Sequence, residues 1–187
     1  MPESGASDDV SNDLGCLARS LPATQGNAAG KGLVLTVTNG SGSGATELAA
    51  FDQALVAAGI ANFNLLPLSS VIPAGAVIEV GTPFAQPQEW GWRLYVVLAE
   101  QRTSLPGEEA WAGIGWMQES TTGRGLFVEH TGTSEGKVMD LIESSLASMR
   151  RSRDVTFGPV TTVTRGTTCV DTPVASVVAA VFKAVPW

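Results

Sequence analysis

The sequence predicts an α+β fold in which strands are more numerous than helices. Short apolar segments rich in β-branched residues recur about seven times between residues 32 and 182. Only two longer segments repeat apolar residues at the 3.6-residue spacing of a helix. Because the helices do not alternate regularly with the strands, this order favours a largely antiparallel sheet system over a doubly wound α/β fold.

The first strand is predicted at residues 32–38, and the glycine-rich segment 39–44 is expected to end it in a turn. Thr46 is predicted to cap the first helix, with Glu47 in its first turn. Gly59 is expected to end that helix. Its predicted apolar stripe has members at positions i, i+3 and i+7: Leu48, Phe51 and Leu55.

A second helix is predicted from Thr133 or Ser134 to about Arg151. Its apolar positions follow the helical period: Val138, Leu141, Ile142, Leu146 and Met149. The remaining apolar segments are predicted to be strands: 62–68, 77–80, 93–100, 111–117, 125–130, 155–165 and 174–182.

Composition limits the possible classes of protein. Residues 1–30 are rich in Ser, Asp, Asn, Gly and Ala and predict a mobile leader, whereas residues 31–187 are expected to form one domain. The net charge of −7 argues against nucleic-acid binding. No apolar run has the length of a membrane span, and no secretory signal is recognised, so we expect no membrane association and a cytoplasmic location.

Metal binding is not expected either. The cysteines Cys16 and Cys169 are far apart in sequence and follow no metal-ligand spacing. His130 is the only histidine, so a Ser/His/Asp triad would depend wholly on it, and we disfavour that arrangement. The cysteines are expected to be reduced thiols.

The glycine-rich segment 40–45 is the first candidate site. It fits the loose dinucleotide pattern G-x-G-x-x-A between a strand and a helix. That pattern also requires an acidic residue about 20 positions later, and no Asp or Glu lies between Asp52 and Glu79. Close packing of the following helix is therefore preferred over nucleotide binding, while the holding of an anion at the helix N-terminus remains open.

Three polar side chains in apolar surroundings are further candidates. Asp52 lies in the apolar first helix, and Asn64 lies in a predicted strand between Phe63 and Leu65. Each alone is more often a solvated surface group than a functional one. Glu129 ends an apolar strand, where partial burial is expected to favour the protonated form that a proton donor needs.

Ser69 and Ser70 lie at the end of the predicted strand 62–68, within Leu-Ser-Ser-Val-Ile-Pro. Pro73 fixes the backbone shortly after the pair. A weak nucleophile held in a constrained turn is typical of functional sites. The pair is therefore a candidate self-cleavage site.

Two segments carry a recognisable set of motifs. From residue 46 the chain reads Thr-Glu-Leu-Ala-Ala-Phe-Asp-Gln-Ala-Leu, followed by Ala-Gly-Ile-Ala-Asn-Phe-Asn-Leu and Ser-Ser-Val-Ile-Pro. Residues 125–130 read Gly-Leu-Phe-Val-Glu-His. These motifs resemble the pyruvoyl-dependent arginine decarboxylase family, and the resemblance covers residues 32–187. Pro67 departs from it, because family members often carry a polar or basic residue there.

The resemblance implies an αββα sandwich, with two stacked sheets between outer helices. It implies cleavage between Ser69 and Ser70 into a β chain (1–69) and an α chain (70–187). Ser70 becomes the pyruvoyl group, which serves as the electron sink for decarboxylation without pyridoxal phosphate or a metal. The implied reaction converts L-arginine to agmatine and CO₂.

The resemblance also implies roles for individual residues. Glu129 is the acid that reprotonates the decarboxylated carbon. Asp52 is the partner of the guanidinium group, Leu55 lines the site beside it, and Asn64 and Ser69 complete the substrate-binding set.

Assembly is a further implication, because the family forms trimers with sites between neighbouring protomers. A homotrimer or a dimer of trimers is therefore expected. Two alternatives remain open: the same chemistry on another amino acid, or a non-catalytic protein that binds an anion or nucleotide with the glycine-rich segment.

Overall fold

The computed structural model describes residues 32–83 and 85–187, so the predicted leader and Cys16 lie outside the described residues. Within them the chain forms two helices, nine strands and a 3₁₀ turn at Pro87–Glu89. The helices are α1 (Glu47–Ala57) and α2 (Glu135–Arg151). The strands are β1 (Val34–Ser43), β2 (Asn64–Pro67), β3 (Val71–Ile72), β4 (Val77–Val80), β5 (Arg93–Thr103), β6 (Glu109–Gln118), β7 (Gly125–Gly132), β8 (Thr161–Thr168) and β9 (Val174–Val185).

The strands form two sheets. The first has the order β2-β5-β9-β1-β4, and the second has the order β3-β7-β6-β8. The pairs β1–β4 and β2–β5 are parallel, and the other strand pairs of the described chain are antiparallel. The predicted α+β class with largely antiparallel sheets is confirmed.

Three apolar clusters hold four layers together. The central cluster fills the space between the sheets and includes Leu35, Val97, Ile114 and Phe127, all at most 1% exposed. A second cluster joins α1 to the first sheet, and a third joins α2 to the second sheet. The layer order is therefore helix, sheet, sheet, helix, as the αββα sandwich requires.

The expected turn at residues 39–44 is wrong, because β1 continues through this segment to Ser43. The segment pairs with β9, from Asn39 opposite Val178 to Ser43 opposite Val174. A Cβ at Gly40 would lie 2.2 Å from the carbonyl oxygen of Ala54 on α1. The glycines therefore permit close packing of α1, as predicted. Residues 40–43 lie in a strand and do not form the loop that a dinucleotide site requires.

The same close approach explains why the stripe predicted for α1 is partly wrong. Leu48 is 67% exposed, whereas Ala50 and Ala54 are fully buried and Leu55 is 7% exposed. Small alanine side chains face the glycine-lined strand because the two backbones leave no room for larger ones. The predicted cap is confirmed, since Thr46 Oγ1 accepts a hydrogen bond from Ala49 N at 3.1 Å.

On the other side of the sandwich, α2 follows its predicted pattern closely. Ser134 caps it, and Val138, Ile142 and Leu146 are fully buried, although Leu141 is 38% exposed. The helix packs on a second glycine-lined strand, where a Cβ at Gly115 would lie 2.1 Å from a methyl group of Ile142.

The last two strands differ from the prediction mainly at their ends. Strand β8 begins at Thr161 rather than at 155, and Pro159, which cannot donate to a sheet ladder, lies just before it. Strand β9 continues beyond 182 to Val185. None of the helices in the two described ranges is both long and apolar enough to span a membrane.

Candidate active site

The chain crosses from one sheet to the other at the serine pair. Leu68, just after β2, still follows β5, because its N–H donates to Val96 O at 2.9 Å. Val71 already belongs to β3, which pairs with β7 in the second sheet. Ser69 and Ser70 therefore form the crossing, and the carbonyl oxygen of Ser70 accepts a hydrogen bond from Phe127 N at 2.8 Å.

Ser70 has a strained backbone. Its φ is +65°, and no other non-glycine residue in the described ranges has a positive φ. This left-handed conformation costs an L-residue roughly 1–2 kcal/mol, so it persists only where surrounding contacts enforce it. Ser70 is also 8% exposed, which keeps bulk water from most of the residue.

The hydroxyl of Ser70 has a carboxylate partner. Ser70 Oγ donates a hydrogen bond to Glu129 Oε2 at 2.8 Å. Glu129 lies on β7, opposite Ile114 of β6. The two-residue strand β3 pairs only with Gly125 and Leu126, so it does not cover β7 as far as Glu129.

Glu129 is exposed in the single chain, so the predicted partial burial is wrong for it. Its neighbour His130 lies on the opposite face of β7, as alternation along a strand requires. His130 Nε2 is 2.8 Å from Ser145 Oγ of α2. The histidine therefore pairs with α2 and not with Ser70, which argues against a triad on this serine.

Asp52 and Asn64 come together in a second place. Both are exposed, and both line a surface cavity of about 510 Å³. The other lining residues are Ala61, Asn62, Phe63, Trp90 and Gly91. The Nδ2 group of Asn64 donates to Gly91 O at 2.6 Å. A carboxylate, an amide and an indole thus converge on one cavity.

The remaining sequence candidates lie apart from this cavity. Leu55 belongs to the core between α1 and the first sheet and is not among the lining residues. Ser69 is exposed at the sheet crossing. Ser70 and Glu129 do not line the cavity either, so the chain brings the candidate residues together as two separate pairs.

Sequence reasoning missed the aromatic groups beside Asn64. Trp90 is 74% exposed and lines the cavity, and Trp187 donates from Nε1 to Gly91 O at 2.9 Å. The run Glu-Trp-Gly-Trp at residues 89–92 was a usable indication of an aromatic surface. Trp187 carried no such indication, because only the fold brings it to Gly91.

In the described ranges, His, Cys, Asp and Glu form no cluster of three suited to a metal ion.

Comparison with known proteins agrees with the motifs. The family model described as "Pyruvoyl-dependent arginine decarboxylase (PvlArgDC)" matches residues 34–184. A pyruvoyl-dependent arginine decarboxylase of Halobacterium salinarum is 36% identical over 116 residues, which are 62% of this chain and 71% of the relative. Those of Pyrococcus furiosus and Pyrococcus abyssi are 32% and 30% identical over 141 and 140 residues, in each case 74% of this chain and 87% of the relative. The family model matches most of the length of the chain, and the chain therefore belongs to the pyruvoyl-dependent arginine decarboxylase family.

Proposed function

We propose that this protein is a self-processing decarboxylase that converts L-arginine to agmatine and CO₂ with a pyruvoyl group made from Ser70. Family membership implies the pyruvoyl group, and the names of the relatives supply the substrate. The observation that carries the proposal is the backbone conformation of Ser70 together with the hydrogen bond of its hydroxyl group. Ser70 combines a left-handed backbone with a hydroxyl hydrogen-bonded to a carboxylate.

Self-cleavage begins when Ser70 Oγ attacks the carbonyl carbon of Ser69. A C–O bond forms, the C–N bond between the two serines breaks, and the amide becomes an ester. Elimination then releases the carboxylate of Ser69 and leaves dehydroalanine at position 70. Water replaces its nitrogen, ammonia leaves, and the product is the ketone of the pyruvoyl group.

Self-cleavage needs a base, and Glu129 supplies it. An unassisted serine hydroxyl is a weak nucleophile, and an adjacent group that takes its proton activates it. The Ser70 hydroxyl already donates to Glu129 Oε2, so the proton has an acceptor before attack begins. Left-handed strain at Ser70 favours the rearrangement further, because cleavage releases it.

The same carboxyl serves turnover. The residues present fit a pyruvoyl group, since Ser70 itself is its precursor and Glu129 lies against the reacting oxygen. Once formed, the pyruvoyl group supplies the electron sink for loss of CO₂, with neither pyridoxal phosphate nor a metal. Glu129 then donates a proton to the α-carbon of the product.

Asp52 and Asn64 are the substrate-binding pair. A guanidinium group has five donors in a planar fork, and a carboxylate matches two of them at once. Asp52 is the carboxylate of the cavity, and Asn64 adds an amide beside it. Leu55 is also on α1 and packs against the first sheet, which holds the helix that carries Asp52, while Ser69 borders the cleavage point.

Assembly completes the site. The Ser70–Glu129 pair and the cavity of Asp52 and Asn64 are separate within one chain, and Asp52 and Glu129 are both exposed. A homotrimer, or a dimer of trimers, is the arrangement we assign. In it the cavity of one protomer faces the serine of its neighbour, so arginine lies between the two chains.

The intact mass of the purified protein tests the proposal. Division of 19.3 kDa in proportion to length gives fragments of roughly 7 and 12 kDa. The larger fragment resists Edman degradation, because a pyruvoyl terminus has no amine. CO₂ release is then compared for arginine, ornithine and lysine. A chain that stays uncut after prolonged incubation contradicts the proposal, and release from another amino acid alone corrects the substrate.

A further inference from the structure

One carbonyl oxygen near the cavity accepts two side-chain hydrogen bonds. Gly91 O receives Asn64 Nδ2 at 2.6 Å and Trp187 Nε1 at 2.9 Å. Because a carbonyl can only accept, the NH₂ end of the Asn64 amide must face Gly91. The acceptor oxygen Oδ1 is therefore the end of the amide left for a ligand in the cavity.

The backbone around Gly91 is tied to the strand that carries Asn64. Gly91 N donates to Asn62 O at 2.7 Å, and Asn64 N donates to Trp92 O at 2.8 Å. Gly91 has a φ of +80°, a conformation that glycine adopts without steric cost. These contacts join the Gly91 segment to the chain around Asn64, and Trp187 adds a contact to the Gly91 carbonyl oxygen from outside the loop.

Trp187 is itself held by Arg93. The guanidinium carbon of Arg93 lies 4.9 Å from the centroid of the Trp187 ring, and Arg93 Nη2 donates to Pro186 O at 2.5 Å. Arg93 pairs in register with Asn64 on one side and with Val185 on the other. One row across β2, β5 and β9 therefore connects the substrate-binding amide to the segment that carries Trp187.

We infer that Trp187 is a positioning residue for Asn64. Its indole N–H holds the Gly91 carbonyl, and this carbonyl fixes the Asn64 amide with Oδ1 turned to the cavity shared with Asp52. The inference rests on the proposed function. Trp187 is 81% exposed and belongs to none of the apolar clusters, so its replacement leaves the core packing unchanged.

The test is a double-mutant cycle on the full chain. Trp187→Phe keeps an aromatic ring near Arg93 but removes the indole N–H. Asn64→Ala removes the amide that Trp187 is inferred to orient, and the two are also combined. Trp111→Phe is the matched control, because it removes another indole hydrogen bond, to Glu109 at 2.7 Å, on the second sheet. KM and kcat for arginine are measured for each.

Trp187→Phe is expected to raise KM about two- to tenfold, the effect of one neutral hydrogen bond, with kcat within about twofold of wild type. The combined variant is expected to match Asn64→Ala alone, because a residue that acts through Asn64 has nothing left to position. Trp111→Phe is expected to keep the wild-type KM. An unchanged KM in Trp187→Phe, or an equal further rise on the Asn64→Ala background, overturns the inference.

A second measurement does not depend on decarboxylation. Hydrogen exchange of the Asn64 side-chain amide is followed by NMR in the unliganded protein, with Asn64→Ala identifying the resonance. Loss of the Trp187 contact is expected to speed exchange about threefold or more, since the Gly91 carbonyl is then held less firmly. Unchanged exchange overturns the positioning role. A wild-type protein inactive on arginine overturns the proposed function alone.

Discussion

Ser70 Oγ donates to Glu129 Oε2 at 2.8 Å, although 59 residues separate the two along the chain. The contact forms because β3 and β7 are neighbours in the second sheet and the chain enters β3 directly after the serine pair. It precedes any cleavage. Glu129 thereby contacts the hydroxyl that is the proposed nucleophile of self-processing, a role that its position in the sequence did not suggest.

Glu129→Gln is expected to slow self-cleavage as well as turnover. Glutamine keeps the shape and can accept the Ser70 hydrogen bond, but it cannot take the proton. The fraction that does cleave is expected to lose about 10²- to 10⁴-fold in kcat, the usual contribution of a general acid. Intact mass against time measures cleavage, and CO₂ release measures turnover.

His130→Gln is the matched control, because His130 lies on the opposite face of β7 against Ser145. It is expected to cleave at the wild-type rate. Cleavage of Glu129→Gln at that same rate would show that the carboxylate is not the proton acceptor of Ser70.

The left-handed backbone at Ser70 gives a prediction about stability. Ser70→Ala and Ser70→Gly both lack the hydroxyl and are expected to remain full length. Glycine adopts a positive φ freely, whereas alanine pays the steric cost that serine does. Ser70→Gly is therefore expected to unfold in urea with a free energy about 1 kcal/mol higher than Ser70→Ala. Equal stabilities would mean that the strain is relieved elsewhere.

Local sequence patterns predicted most of the elements because local contacts decide them. Thr46 and Ser134 cap their helices as predicted, and β4 has the predicted limits of 77 and 80. The errors arose where packing against another element overrides a local preference. Glycines at 40 and 42 suggested a turn, but they lie in a strand whose surface α1 covers.

The candidate site was predictable only in part. Family motifs named Asp52, Asn64, Ser70 and Glu129, but no spacing in the sequence shows that they fall into two separate pairs. That division follows from the sheet crossing at Ser69 and Ser70, a three-dimensional feature. Strand β3, which the chain enters directly after the serine pair, has only two residues and was not predicted.

Asp52→Asn is expected to weaken arginine binding without affecting cleavage. It removes the charge proposed to face the guanidinium group of arginine, and a charge-assisted hydrogen bond contributes about 1.5–3 kcal/mol. KM is therefore expected to rise about tenfold to a hundredfold where KM follows binding. Asp140→Asn, an exposed change on α2, is the control for loss of one charge. An unchanged KM for arginine would remove Asp52 from the binding site.

Close packing of α1 on β1 predicts a strong effect at Gly40. A Cβ there would meet the backbone oxygen of Ala54 at 2.2 Å, and a helix backbone cannot move as a side-chain tip can. Gly40→Ala is expected to lower the free energy of unfolding by about 1–3 kcal/mol, the usual cost of overpacking. Gly136→Ala is the control, since nothing lies within 4 Å of its new methyl group. Equal urea midpoints for the two variants would contradict the packing described.

Mixed oligomers test whether the two pairs meet across a protomer boundary. Asp52→Asn is expected to impair the substrate-binding pair of a protomer, Asp52 and Asn64. Glu129→Gln is expected to impair its catalytic pair, Ser70 and Glu129. In a trimer with sites between chains, a site is intact when an Asp52→Asn protomer supplies Ser70 and a Glu129→Gln protomer supplies Asp52. Random assembly from equal amounts makes about one quarter of the sites intact, the product of two probabilities of one half.

The coexpressed pair is therefore expected to recover about a quarter of the wild-type rate per site at an arginine concentration well below KM, far above either variant alone. The processed serine comes from Asp52→Asn chains, whose own Glu129 remains in place to assist cleavage. Asp52→Asn with Asn64→Ala is the control, because both changes damage the same half and no mixed site is whole. No recovery in the first pair would place all four residues of a working site on one chain. A gel-filtration mass of a single protomer would do the same.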